Sequence, residues 1–179
     1  MLRIHERKGV AVVTVGKGMG SNHLSAFDNA ELSANILALN AVKFSSFIPP
    51  GWVISTDKFL LSEHTHSGKC LPMAYEFAHS TTNVVSAVVV VGVPKNKTKP
   101  CIIMEYSSKK LTKEELVEKA IEGVREVFSF RGWELEKIVT KAVEVVPKKN
   151  QYACALAAVV FIPELRSKGL SNFHHVGVK

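Results

Sequence analysis

A chain of 179 residues, 46% hydrophobic and 22% charged, suits one domain with a single core, burying about 70% of its unfolded surface. The formal charge of +7 raises nucleic-acid binding. However, its lysines and arginines fall in small clusters such as Lys95 to Lys99, Lys109-Lys110 and Lys148-Lys149, with no recognised nucleic-acid module beside them. The longest apolar run, Val84 to Val93, is shorter than the roughly 18 residues of a membrane span, and Cys70, Cys101 and Cys154 are too widely spaced for a disulfide frame or a zinc site, so the protein is expected to be soluble and cytoplasmic, with neither nucleic acid nor membrane as partner.

In chain order, Val10 to Val15 reads as a strand and Gly16-Lys17-Gly18-Met19-Gly20-Ser21 as a flexible turn behind it; the glycine spacing is not that of a dinucleotide cradle. Ser25, with Asp28 three positions on, predicts a short helix over about 25–35 and puts Asp28 in its first turn, where the helix dipole favours an acid. Ile36 to Phe44 reads as an apolar strand, carrying Asn40 midway and delivering Ser45-Ser46 ahead of a Phe47-Ile48-Pro49-Pro50 turn. His64, His66 and Cys70 fall in a polar loop. Further strands are expected over 73–79, 84–93, 101–106, 138–146 and 153–162. The clearest helix runs from Thr112 to about Phe130: Thr112 and Glu115 make a capping box, Leu116, Ala120, Ile121, Val124 and Phe128 form one stripe, and Gly132 supplies the stop. One strong helix, one weaker one and many apolar strands indicate an α+β sandwich rather than a Rossmann alternation. The tail from Pro163 to Lys179 is polar and ends near Phe173-His174-His175; without a third ligand at a sensible spacing, no metal site is expected.

Three residue types carry candidate chemistry. A serine in a tight turn can attack the carbonyl of its own preceding residue, so Ser45-Ser46 is either ordinary loop composition or a site of self-cleavage. Such an attack develops an oxyanion, and the Asn40 amide is a donor that does not titrate; a strand Asn satisfied by neighbouring backbone is the alternative. Glu105 is the lone carboxylate ending the apolar run Cys101-Ile102-Ile103-Met104. It is either a solvated strand-end residue or an acid whose apolar surroundings raise its pKa for proton delivery.

Taken together, Ala26-Phe27-Asp28-Asn29-Ala30, Asn40, Ser45-Ser46-Phe47-Ile48-Pro49-Pro50, Ile103-Met104-Glu105-Tyr106, Phe130-Arg131-Gly132-Trp133 and Cys154-Ala155-Leu156-Ala157-Ala158-Val159 resemble the pyruvoyl-dependent arginine decarboxylases. The resemblance runs from about Val10 to Ile162. The twelve-residue step from Asp28 to Asn40 and the six-residue step from Asn40 to Ser46 are those of the family. The resemblance implies a single-domain, four-layer αββα sandwich with largely antiparallel sheets over 1–162, with 163–179 as a C-terminal extension, assembled as a homotrimer or hexamer. It implies self-cleavage into 1–45 and 46–179, with Ser46 converted to a covalent pyruvoyl cofactor. Asn40 would be the oxyanion donor, Glu105 the proton donor and Asp28 the partner of the substrate guanidinium. The reaction implied is decarboxylation of L-arginine to agmatine, which feeds polyamine synthesis. Tyr75, Arg131 and Trp133 fall in matching segments as core or trimer-contact residues. One departure stands out: where the family has a glycine-rich segment, this chain has Ala34-Asn35-Ile36-Leu37-Ala38-Leu39, with Asn35 and Leu37 replacing glycines. This leaves open a different amino acid as substrate, or a processing-incompetent structural paralogue.

Overall fold

The apolar runs of the sequence become nine strands and two α-helices, with one short 3-10 helix at Lys58–Leu61, in a computed structural model, which describes residues 8–64 and 68–163. His66 and the His174-His175 pair lie outside the described residues, as does the expected extension beyond Pro163. The order is β1 (Gly9–Gly20), α1 (His23–Ala34), β2 (Asn40–Lys43), β3 (Phe47–Ile48), β4 (Val53–Ser55), β5 (Cys70–Ser80), β6 (Val85–Pro94), β7 (Cys101–Ser108), α2 (Lys113–Phe130), β8 (Leu135–Val145) and β9 (Tyr152–Pro163). One sheet runs β2-β5-β9-β1-β4 and the other β3-β7-β6-β8. Every pairing is antiparallel except β1 with β4 and β2 with β5.

The layers follow from strand alternation. Ala11 and Val13 of β1, Val89 and Val91 of β6, Ile103 of β7, and Ala157, Val159 and Phe161 of β9 point inward and form the core between the sheets. The alternate residues, such as Val12, Leu156 and Val160 in one sheet and Val88, Val90 and Ile102 in the other, point outward, where α1 and α2 respectively cover them. The result is the four-layer αββα sandwich. Helix α2 begins as its sequence dictates, with both halves of the Thr112–Glu115 capping box formed, and it buries Leu116, Ala120, Val124 and Phe128. Each of the larger two contributes roughly 1.5–3 kcal/mol by leaving water.

Two stretches differ from the sequence expectation. Gly16 to Gly20 is not a turn but the second half of β1, in register with β9 from Gly16↔Leu156 to Gly20↔Tyr152. The glycines face α1, whose buried positions are Ala26, Ala30 and Ala34, so small residues on both surfaces seat the helix against the strand. A Cβ on Gly18 would lie 2.2 Å from the Ala26 carbonyl oxygen and 2.4 Å from the Ala30 nitrogen, and main chain cannot swing away. Gly18→Ala is therefore expected to force α1 outward and to destabilise by at least about 1–3 kcal/mol. A thermal melt of this variant that overlays wild type would show that the helix does not sit this close.

The second difference is the run Ile36 to Leu39, which is apolar but not extended; β2 starts only at Asn40. Asn35 closes α1 in the left-handed region with φ 64°, and Ala38 is left-handed again with φ 61°, so the chain turns twice where a strand would continue. The helix also begins earlier than expected. Asn22 caps it by accepting from the Ser25 N–H at 2.9 Å, which puts Asp28 in its second turn, exposed. No helix among the described residues is long and apolar enough to cross a membrane.

Candidate active site

Strand β2 is the edge of one sheet and β3 the edge of the other, so the chain must cross between sheets through Phe44, Ser45 and Ser46. The crossing is tight. The Ser45 carbonyl accepts a hydrogen bond from the Phe47 N–H at 2.8 Å, closing a three-residue γ-turn about Ser46, of the inverse kind because Ser46 is not among the positive-φ residues. On the far side of the turn the Ser46 carbonyl accepts from the Ile103 N–H at 2.9 Å, and Phe47 pairs with Ile102 of β7. Both carbonyls flanking the Ser46 residue are thus held by main-chain donors.

The same register brings Glu105 to Ser46. On β7, Glu105 is two positions on from the inward-facing Ile103, so it shares that face and points into the gap between the sheets. There the Ser46 hydroxyl donates to its carboxylate, with Oγ 3.0 Å from Oε1 and 3.2 Å from Oε2. Burial raises the Glu105 pKa above its usual range; the Ser46 hydroxyl and Lys43 oppose that rise and Glu76 adds to it. Glu76 faces the same gap from β5, between the inward residues Ala74 and Ala78, and is paired with Lys43 Nζ at 3.0 Å. The two sheets touch just beyond, where the Ser107 hydroxyl donates to the Phe77 carbonyl at 3.0 Å. A nucleophilic oxygen, a carboxylic acid of raised pKa and an ion pair therefore meet at one open edge of the sandwich. Such an arrangement can accept the proton of an attacking serine and return a proton to a carbon held nearby.

Of the residues singled out from sequence, Ser45, Ser46 and Glu105 meet here; Asn40 and Asp28 do not within one chain. Asn40 stands at the far end of β2, its side-chain amide donating to the Gly68 carbonyl at 2.6 Å. Asp28 lies on α1, on the opposite face of its sheet from the gap. One turn on, the half-buried Glu31 has its pKa raised to about 7 by burial and, secondarily, by Asp28, so α1 presents two carboxyls on one side. Lys43 and Glu76 were missed by sequence reasoning; the available signal was a charge at alternate positions in otherwise apolar strands.

The model of the family described as pyruvoyl-dependent arginine decarboxylase matches residues 10–166. A pyruvoyl-dependent arginine decarboxylase of Methanococcus aeolicus is 37% identical over 152 residues, covering 82% of this chain and 86% of the relative. That of Methanocaldococcus jannaschii is 34% identical over 151 residues, covering 82% and 87%. Among solved structures, a pyruvoyl-dependent histidine decarboxylase matches with a TM-score of 0.45 at 11% identity, over 59% of this chain and 54% of that one.

Proposed function

The chain belongs to the pyruvoyl-dependent arginine decarboxylase family, and from that premise we propose that it cuts itself between Ser45 and Ser46 and then converts arginine to agmatine and carbon dioxide at a pyruvoyl group made from Ser46. The observation that carries this reading is the Ser46 hydroxyl on the Glu105 carboxylate at 3.0 Å, inside a γ-turn that bends Ser46 back on the Ser45 carbonyl.

In the cut, Ser46 Oγ attacks the Ser45 carbonyl carbon while its proton passes to Glu105. The Oγ–C bond forms and the C–N bond breaks, exchanging the amide for an ester. Elimination of that ester releases Ser45 as a carboxylate, and hydrolysis of the enamine left at residue 46 expels ammonia. The two fragments therefore sum to the precursor plus water minus ammonia. When present, a pyruvoyl group supplies a keto carbon that condenses with an amine and an amide carbonyl that takes up the electrons released with carbon dioxide. The residues fit it: that carbonyl oxygen belongs to residue 46 and already accepts from the Ile103 N–H at 2.9 Å. Glu105, beside the same residue, is placed to hold the proton that the α-carbon must regain, and its raised pKa keeps the proton available further up the pH scale. Purified protein should resolve into two fragments, the larger without a free α-amine. Only full-length chain after prolonged incubation would overturn the reading.

The substrate assignment rests on Asp28, because a guanidinium prefers a carboxylate partner. Asp28 stands on the outer face of the sandwich, away from the gap of its own chain, so we assign it to a neighbour's site in a trimer or hexamer. Losing a desolvated charge pair costs roughly 2–5 kcal/mol, so Asp28→Asn is expected to raise the KM for arginine by about 30-fold or more, with cleavage intact. Oligomers mixed from Asp28→Asn and Ser46→Ala chains should regain activity, since a site that joins Ser46 of the first chain to Asp28 of the second carries neither defect. The left-handed turns at Asn35 and Ala38 end α1 just beyond Asp28. Lysine, ornithine and histidine belong in the same assay: if arginine is no better than these, this segment has reshaped the channel for another substrate.

A further inference from the structure

Self-cleavage needs a donor for the oxygen of the Ser45 carbonyl as it becomes an oxyanion, and the only donor the structure gives that oxygen among the described residues is the Phe47 N–H at 2.8 Å. Asn40, the side chain expected in that role, is bonded to Gly68. A strand of two residues, β3, is a weak platform for holding an N–H in place, but its first residue is gripped from outside. The Arg131 guanidinium lies 5.3 Å from the centre of the Phe47 ring and 5.2 Å from that of Trp133, within reach of both π faces.

Arg131 is itself fixed by the end of α2. Gly132, left-handed with φ 62°, lets the chain fold back so that its N–H reaches the Ser129 carbonyl at 3.0 Å and the Trp133 N–H reaches that of Phe128 at 2.9 Å. These paired bonds are the Schellman motif. They place the Trp133 ring edge-on against the buried Phe128, centroids 6.1 Å apart at 86°. A continuous line of contacts thus runs from the helix core through Trp133 and Arg131 to Phe47, the residue next to the nucleophile.

We propose that the Phe47 main-chain N–H is the oxyanion donor of the cleavage step and that Arg131, stacked on Phe47 and Trp133, is the positioning residue that holds it on the Ser45 carbonyl. The inference rests on the cleavage proposed above. As Oγ bonds to the Ser45 carbon, the carbonyl electron pair moves onto oxygen, where the Phe47 N–H already points. It returns when the bond to the Ser46 nitrogen breaks.

The test replaces Phe47 by phenyllactic acid in the full chain, which keeps the ring and removes only the N–H. Losing one oxyanion donor slows such steps by about 10²–10³-fold, so the half-time for appearance of fragment 1–45 should lengthen by that factor. Intact mass separates it from hydrolysis at the new ester, which would give 1–46. In the normal backbone, Arg131→Met should slow cleavage about 10-fold and Arg131→Lys should restore most of the rate, because a cation over the ring returns. In the phenyllactate chain, Arg131→Met should change nothing further. Cleavage of the phenyllactate chain at the wild-type rate overturns the donor assignment, and an equal slowing by Arg131→Met in both backbones overturns the positioning role. Failure of the wild-type chain to cleave at all would instead overturn the proposed processing itself.

Discussion

Ser46→Ala protein is expected to stay at full length through any incubation that divides the wild type. The substitution removes one oxygen and leaves the γ-turn, the Ile103 hydrogen bond and the β3–β7 pairing in place, because all three are made by main chain. The fold should therefore persist while the attack on Ser45 has no nucleophile, and without residue 46 at a new terminus there is no keto carbon to take the substrate amine. Decarboxylation should fall to background, the largest effect expected of any single change. A gel with intact mass, alongside carbon dioxide release from labelled arginine, measures both losses. Fragments appearing at the wild-type rate would show that another residue makes the cut.

Glu105→Gln keeps the shape and one hydrogen-bond acceptor but cannot deliver a proton. In protein that has been cleaved, turnover should drop by about 10²–10⁴-fold, referred to the amount of blocked large fragment. The pH dependence gives an independent check. Because burial raises the Glu105 pKa, the protonated donor persists above the normal carboxylate range and is lost as pH climbs through the raised value. Wild-type kcat should therefore decline on its alkaline side, and the residual activity of the Gln variant should lack that limb. Stability follows the same sign: a carboxyl with a raised folded pKa favours the folded state at low pH, and that contribution is lost as pH rises through the folded value. The Gln variant should thus lose less stability than wild type over that interval. Near-native turnover in a fully processed sample would make Glu105 a bystander.

Much of the fold is legible where local and long-range preferences agree. Helix α2 carries its cap, stripe and stop within twenty-one residues, Thr112 to Gly132, and each operates in the structure as its chemistry dictates. The long strands β6 and β9 show as apolar runs because the core and the helices cover both of their faces. Where the two preferences diverge, local signals mislead. Gly16, Gly18 and Gly20 favour a turn by themselves, yet they are glycines because Ala26 and Ala30 press on them from across the layer. Ile36 to Leu39 are apolar enough for a strand, but the left-handed Asn35 and Ala38 bury Ile36 and Leu39 under α1 instead. The Ser46–Glu105 pair was reached through family resemblance. No local pattern tells that residues fifty-nine positions apart share a gap, since that depends on which edge strands face each other. Lys43, Glu76 and the Arg131 contact to Phe47 escaped notice for the same reason.

The crossing between the two sheets has a consequence for the life history of the molecule. Severing it at Ser45 would leave β1, α1 and β2 on a separate polypeptide, with β1 inserted between β9 and β4 and matched to β9 at twelve positions. Such a piece has no route out short of general unfolding, so the scission should be silent in size and shape yet would remove the covalent memory of how the parts were put together. Before the cut, the chain can melt and recover as one cooperative unit. Afterwards, recovery becomes an encounter between two partners, sensitive to dilution, and heat inactivation is governed by an escape rate rather than by an equilibrium. The order of events is thereby set: the sandwich must be complete before the serine acts, and once it has acted the protein no longer refolds as a single chain.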